Sequence, residues 1–178
     1  MKRRIERELT LAICPFYRGF AFVAFESPLS PIDWGIKVIE GPHKVARSLE
    51  IAKRVIDRLQ PASLILESTA DPQYRRGKRV RRLQSLIAHH ATWRAIELHA
   101  FARYQIGDSF KATGAVTRYE IAQAVASQID ALRDRLPPPR KKWKSEDTRM
   151  RLFNAAALAL TFYCQTGAIA GLRGNKTT

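Results

Sequence analysis

Three runs rich in β-branched and aromatic residues open the chain: Leu9 to Cys14, Phe20 to Ser27 and Trp34 to Glu40. A turn over Pro15 to Gly19 separates the first two, and Gly41-Pro42 stops the third, a spacing that predicts a three-stranded antiparallel meander. From His43 to Leu59 the period changes to that of a helix. Val45, Leu49, Ala52, Ile56 and Leu59 share one side, while Lys44, Arg47, Lys53, Arg54 and Arg58 fall elsewhere, so the helix is amphipathic with a basic outer side. Pro61 resets the chain, and Ala62 to Glu67 reads as a strand covered on both faces. A helix over 77–91 and a strand from Trp93 to His99 are expected next.

Thr117 and Glu120 have the spacing of a capping box, and Ile121, Val125, Ile129, Leu132 and Leu136 continue it as one apolar stripe. Pro137-Pro138-Pro139 ends that helix and passes into the basic segment RKKWK, Arg140 to Lys144. Ser145, Glu146 and Asp147 are placed to start a last helix running to about Cys164. Leu152 to Leu172 lacks charge, but its amide, hydroxyl and glycine residues make a membrane span costly, so a buried helix followed by a tail is expected. The organisation is one domain over 1–178, with a core of about 9–164, a Pro/basic linker over 137–146 and a tail over 165–178.

Charge narrows the class of partner. Among 178 residues, 31 Lys and Arg oppose 16 Asp and Glu, a net charge of +15 that favours polyanions, with nucleic acid ahead of a membrane surface or an acidic protein. The two cysteines, Cys14 and Cys164, suggest neither a disulfide framework nor a zinc site. Glu6 and Glu8 interrupt the basic N-terminus, which argues against a secretion signal and for a cytoplasmic location, nucleoid-associated if bacterial.

The order of elements, with LAICPFYRGFAFVAFE at the front, LILEST at the fourth strand and FNAAALAL in the last helix, resembles the RuvC-type Holliday-junction resolvases. The resemblance implies an α/β, RNase H-like fold: a mixed five-stranded sheet flanked by helices. It also implies four acidic residues that hold two Mg²⁺ ions for phosphodiester cleavage in branched DNA, because a hard cation pair needs several oxygen anions around it. At those family metal positions this chain carries Cys14, Glu67, Arg151 and Asn154. Only Glu67 keeps its acid.

Cys14 reads more simply as a small buried apolar residue than as a ligand for magnesium. Arg151 brings a positive charge to the metals' place, or grips a phosphate directly, and Asn154 offers only a neutral carbonyl. Glu67 is a surviving ligand, an arginine's partner in a degraded site, or a strand-end residue facing water. Glu146 and Asp147 are substitute ligands on paper, although Asp147 is two helical turns from Asn154 and first-turn acids favour the helix dipole anyway. Asp71, in the turn after Glu67, is a weaker candidate of the same kind. The histidines His43, His89, His90 and His99 have no metal-ligand spacing.

YRRGKRVRR packs Arg75, Arg76, Lys78, Arg79, Arg81 and Arg82 into the start of the helix that leaves Glu67, where phosphate contact is the natural use. Arg140, Lys141, Lys142 and Lys144 add a second basic segment, in which Trp143 stacks on a base or pins the linker. The reading that follows is a nucleic-acid-binding protein, on DNA rather than RNA, that has lost hydrolysis and needs no cofactor. An active Mg²⁺- or Mn²⁺-dependent endonuclease using Glu67 with Asp147 or Glu146 is the alternative, and a structural subunit of a nucleoprotein complex is the third. The resemblance also implies a homodimer.

Overall fold

A computed structural model describes residues 8–172; the basic start with Glu6 and the end of the expected tail lie outside them. Strands β1 (Thr10–Phe16), β2 (Gly19–Ser27) and β3 (Ser30–Val38) form the meander. Helix α1 (Lys44–Leu59), strand β4 (Ser63–Glu67), helix α2 (Lys78–Trp93) and strand β5 (Glu97–Phe101) follow. The remainder is helical: α3 (Arg103–Phe110), a short 3-10 turn at Lys111–Thr113, α4 (Arg118–Gln128), α5 (Asp130–Arg133) and α6 (Met150–Gln165). The sheet has five strands in the order β3-β2-β1-β4-β5. β1 pairs antiparallel with β2 but parallel with β4, and β4 pairs parallel with β5.

The two-residue period of β1 divides the core. Leu11 and Ile13 face α1 and α2, where they meet Phe20, Phe22, Ala52, Ile56, Leu83 and Ile87. Ala12 and Cys14 face the other way, onto α4 and α6, with Val23, Phe25, Ile65, Val125 and Phe153. Successive side chains in a strand point to opposite faces, so a central strand with helices on both sides is buried along its whole length, and β1 is apolar after Thr10. Helix α6 carries Ala155, Ala156, Ala157 and Ala159 among its buried residues, and side chains that small let it lie close against β1 and β2. Among the described residues, no helix is long and apolar enough to cross a membrane.

Several boundaries differ from the sequence-based expectation. The first hairpin turns at Tyr17-Arg18, so Pro15 lies within β1; Gly19 is required beside it, because a Cβ there would sit 1.8 Å from the Lys37 carbonyl oxygen. The expected strand at Trp93 begins at Glu97 instead, since α2 continues to Trp93 and Ala95 turns the chain with φ 56°. His90 and Arg94, at the end of α2, both pair with Asp57 of α1 at 3.0 Å, which fixes the two helices together. The stripe from Ile121 to Leu136 is two helices, because Ile129 leaves the helical region at φ −123°, ψ 93°. The last helix starts at Met150 rather than Ser145: Asp147 turns the chain first, accepting from the Arg149 backbone N–H at 2.9 Å.

A candidate site beneath the last helix

Parallel pairing of β1 and β4 runs from Thr10 and Ser63 to Ala12 and Ile65, and the same register continued by two residues brings Cys14 level with Glu67. Both then project from the carboxyl ends of their strands on the α6 side, the usual place for ligands on parallel sheets. There they line a cavity of about 60 Å³ with Arg76, Arg103, Ile106, Arg118, Ile121, Asn154, Ala157 and Leu158.

The carboxylate of Glu67 is already engaged. Arg76 donates to its Oε2 at 3.1 Å, and both side chains are only 16% exposed. The loop that carries Arg76 is braced from α2. Gln84 donates to the Glu67 backbone carbonyl and accepts from the Tyr74 hydroxyl at 2.9 Å, while Arg81 lies over the Tyr74 ring and donates to its carbonyl at 2.9 Å. Burial, with Glu67 nearby, pushes the Tyr74 phenol up to about 12. Asp71 ties the same loop to α3, accepting from the backbone N–H groups of Gln73 and Arg103 at 2.9 and 3.1 Å.

Across the cavity, Glu146 sits between two guanidinium groups, 3.3 Å from Arg118 of α4 and 3.0 Å from Arg151 of α6. Asp147 is turned to Arg149, whose guanidinium, with the Arg149 backbone N–H, holds its carboxyl below the usual carboxylate range. The Nη1 of Arg151 and the Nδ2 of Asn154 are buried without a hydrogen-bond partner. A buried donor left in that state costs about 1–3 kcal/mol. The Arg118 guanidinium is pushed down by burial and by the neighbouring cations Arg103, Arg76 and Arg151, against the pull of Glu146. Burial pushes the Cys14 thiol up, which keeps it protonated despite Arg76 beside it.

Divalent magnesium does not fit this donor set. It would meet a protonated thiol, a carboxylate held by arginine, an amide presenting its N–H₂, and several guanidinium groups. Among the described residues, no three His, Cys, Asp or Glu side chains converge as a metal site.

The basic stretch after Glu67 divides by role. Arg76 and Arg81 are bound into the loop as described, whereas Arg75, Lys78, Arg79 and Arg82 are exposed. Arg79 donates to the Tyr17 hydroxyl at 2.7 Å and lies over its ring, which sets the start of α2 beside the β1–β2 turn, at the cavity's end of the sheet. Arg140 borders a groove shared with Arg118 and Glu146, while Lys141 and the 80% exposed Trp143 pair with each other in the linker. Lys142 and Lys144 are exposed beside them.

Arg103 and Arg118 were not among the residues singled out by sequence. With β5 expected to end at His99 rather than Phe101, Arg103 does not stand out as lying just beyond a strand's carboxyl end; Arg118 is hidden inside the capping-box signature.

A five-stranded mixed sheet in this order, flanked by helices on both faces, is an RNase H-like fold. Within that class the chain has the RuvC-like fold of Holliday junction resolvases. RuvC from Thermus thermophilus matches with a TM-score of 0.62, or 0.66 in its complex with Holliday junction substrate, at 18% identity, covering 90% of this chain and 97% of that one. The yeast mitochondrial Holliday junction resolvase matches at 0.58 with 13% identity, covering 89% of this chain and 79% of that one. No protein-family model and no curated protein sequence matches.

Proposed function

We propose that this protein binds nucleic acid, structured or branched DNA in particular, on a resolvase scaffold that no longer hydrolyses it. The observation that carries the reading is the engagement of Glu67 by Arg76 in a cavity also lined by Arg103 and Arg118. Two-metal hydrolysis depends on anionic oxygens that neutralise both ions, and a factor of ten in rate is lost for each 1.36 kcal/mol of transition-state stabilisation removed. Here the one carboxylate at a family metal position is neutralised by a cation of the chain itself. Phosphate contact falls to Arg75 just before α2, to Lys78, Arg79 and Arg82 on its exposed side, and to the Arg140–Lys144 linker, surfaces suited to positioning a backbone without reading bases. A nucleic-acid partner is further supported by the RuvC structure solved with Holliday junction substrate.

Incubating the protein with a four-way DNA junction, duplex and single strands in Mn²⁺ tests this directly. The expected result is retarded migration with intact strands. Cleavage that Glu67→Gln abolishes would reject the reading in favour of a metal-dependent endonuclease.

A further inference from the structure

We propose that the cavity beneath α6 is a seat for a single phosphate group, held by the guanidinium groups of Arg103 and Arg118 and the side-chain amide of Asn154. The proposal deepens the nucleic-acid reading by naming what the cavity itself takes, and it rests on that reading only for the source of the phosphate.

Size is the first argument. A cavity of about 60 Å³ has room for several water molecules or one tetrahedral oxyanion. Donors are the second. Among the described residues, the buried polar atom on the cavity wall without a partner is a donor, Asn154 Nδ2, and Arg151 Nη1, one turn earlier on α6, is a second unpartnered donor. The guanidinium of Arg103 has no carboxylate partner among the described residues. Oxyanions with several lone pairs satisfy such groups together, and arginine forks match phosphate oxygens in pairs.

Charge is the third. Among the residues that line the cavity, Arg76, Arg103 and Arg118 face Glu67 alone, an excess of two positive charges, and Arg151 and Glu146 beside it offset each other. That excess matches a phosphate monoester or inorganic phosphate, which carries about one and a half to two negative charges at neutral pH, better than the single charge of a diester. Ile106, Ile121, Ala157 and Leu158 form apolar walls that keep the effective dielectric low, so attraction between the arginines and a bound anion is strengthened. The same walls strengthen the mutual repulsion of the cations, and the Arg118 guanidinium is pushed down first by burial and then by Arg103, Arg76 and Arg151. A dianion relieves that repulsion.

Titration of the full chain with inorganic phosphate, followed by calorimetry and by ³¹P NMR, tests the seat. Saturable binding to one site is expected, weakened about tenfold or more by Arg103→Gln or by Asn154→Leu and unchanged by Lys53→Gln, an exposed residue of α1 away from the cavity. Arg103 holds Asp71 through its backbone N–H and is exposed, so Arg103→Gln leaves the loop brace intact and carries the test if Asn154→Leu does not fold. A parallel titration with 5′-phosphorylated and 5′-hydroxyl oligonucleotides identifies the source. A preference for the phosphorylated strand, lost in Arg103→Gln, places a nucleic-acid end in the seat; equal affinity alongside saturable inorganic phosphate makes the ligand the free anion. Phosphate that fails to saturate at millimolar concentration, or that binds wild type and Arg103→Gln alike, overturns the proposal. Junction DNA retained through α2 in that case leaves the nucleic-acid reading standing. Saturable phosphate without any retention of nucleic acid removes that reading and keeps the seat.

Discussion

The pair Arg76 and Glu67 is held mostly out of solvent, at 16% exposure for each side chain. Deleting one member leaves the other without its counter-charge, whereas replacing both with apolar groups of similar size removes the desolvation cost along with the attraction. Arg76→Met is therefore expected to destabilise the fold by about 1–3 kcal/mol in urea denaturation, and Arg76→Met with Glu67→Leu to recover most of that loss. Equal losses in the single and double variants would show that the pair does not act as a unit. The neighbouring phenol gives a spectroscopic check on the brace behind it. With its pKa raised from 10.0 to about 12, Tyr74 contributes stability that is full below pH 10 and is lost as pH rises through the folded value. Ultraviolet titration of tyrosinate should show a late component near pH 12 that Tyr74→Phe removes.

At the scale of elements, the clearest test is the start of α4. Thr117 accepts from the Glu120 backbone N–H at 3.2 Å, and Glu120 accepts in return from the N–H groups of Thr117 and Val116 at 2.7 and 2.8 Å. Thr117→Ala should cost about 1 kcal/mol in thermal or urea melts. Those bonds hold the Glu120 carboxyl below its ordinary value, so its contribution is present above the unfolded-state pKa near 4.5 and is lost as pH falls through the folded value. The stability difference between wild type and Glu120→Gln should shrink through that acid range; a difference independent of pH would mean that the charge plays no part. This box was legible in the sequence because both partners lie within four residues. So were the two-sided strand at Leu64 to Leu66 and the stripe of α1, whose periods reflect what each face touches. The failures came where a contact distant in sequence decides the outcome. Trp93 has strand propensity, yet it ends a helix, stacked on His90 and covered by Arg94, both of which Asp57 anchors from α1. Helix α3 has a glycine at 107 and buries only Phe110, so it displays no stripe at all. Cys14, Glu67 and Asn154 meet at the cavity because their places follow from element order, and Arg151 lies one turn before Asn154 without lining it. The arginine wall was not legible in the sequence, since Arg103 and Arg118 reach the cavity from helices whose packing no local pattern records.

For the whole molecule, a net charge of +15 guarantees some attraction to any polyanion, so binding alone does not locate a surface. Salt dependence does, because each phosphate neutralised by the protein releases condensed counterions and steepens the fall of log K with log salt by about 0.9 for duplex DNA. The exposed cations Arg75, in the loop just before α2, and Arg79 and Arg82, in its first turns, lie where Arg79 and Tyr17 hold the helix beside the carboxyl ends of the central strands. Arg47, Lys53 and Arg54 are equally exposed and carry the same total charge, but they belong to α1. If a diffuse field held the DNA, the two triple substitutions to Gln would weaken it alike. A docked backbone predicts an asymmetry: the α2 triple lowers the slope by about 3, one phosphate for each arginine, while the α1 triple lowers the affinity slightly and leaves the slope near the wild-type value. Binding isotherms for a four-way junction over a series of salt concentrations measure both quantities. Identical slopes for the two triples would move the phosphate contacts away from α2, leaving the Arg140–Lys144 linker as the next surface to substitute.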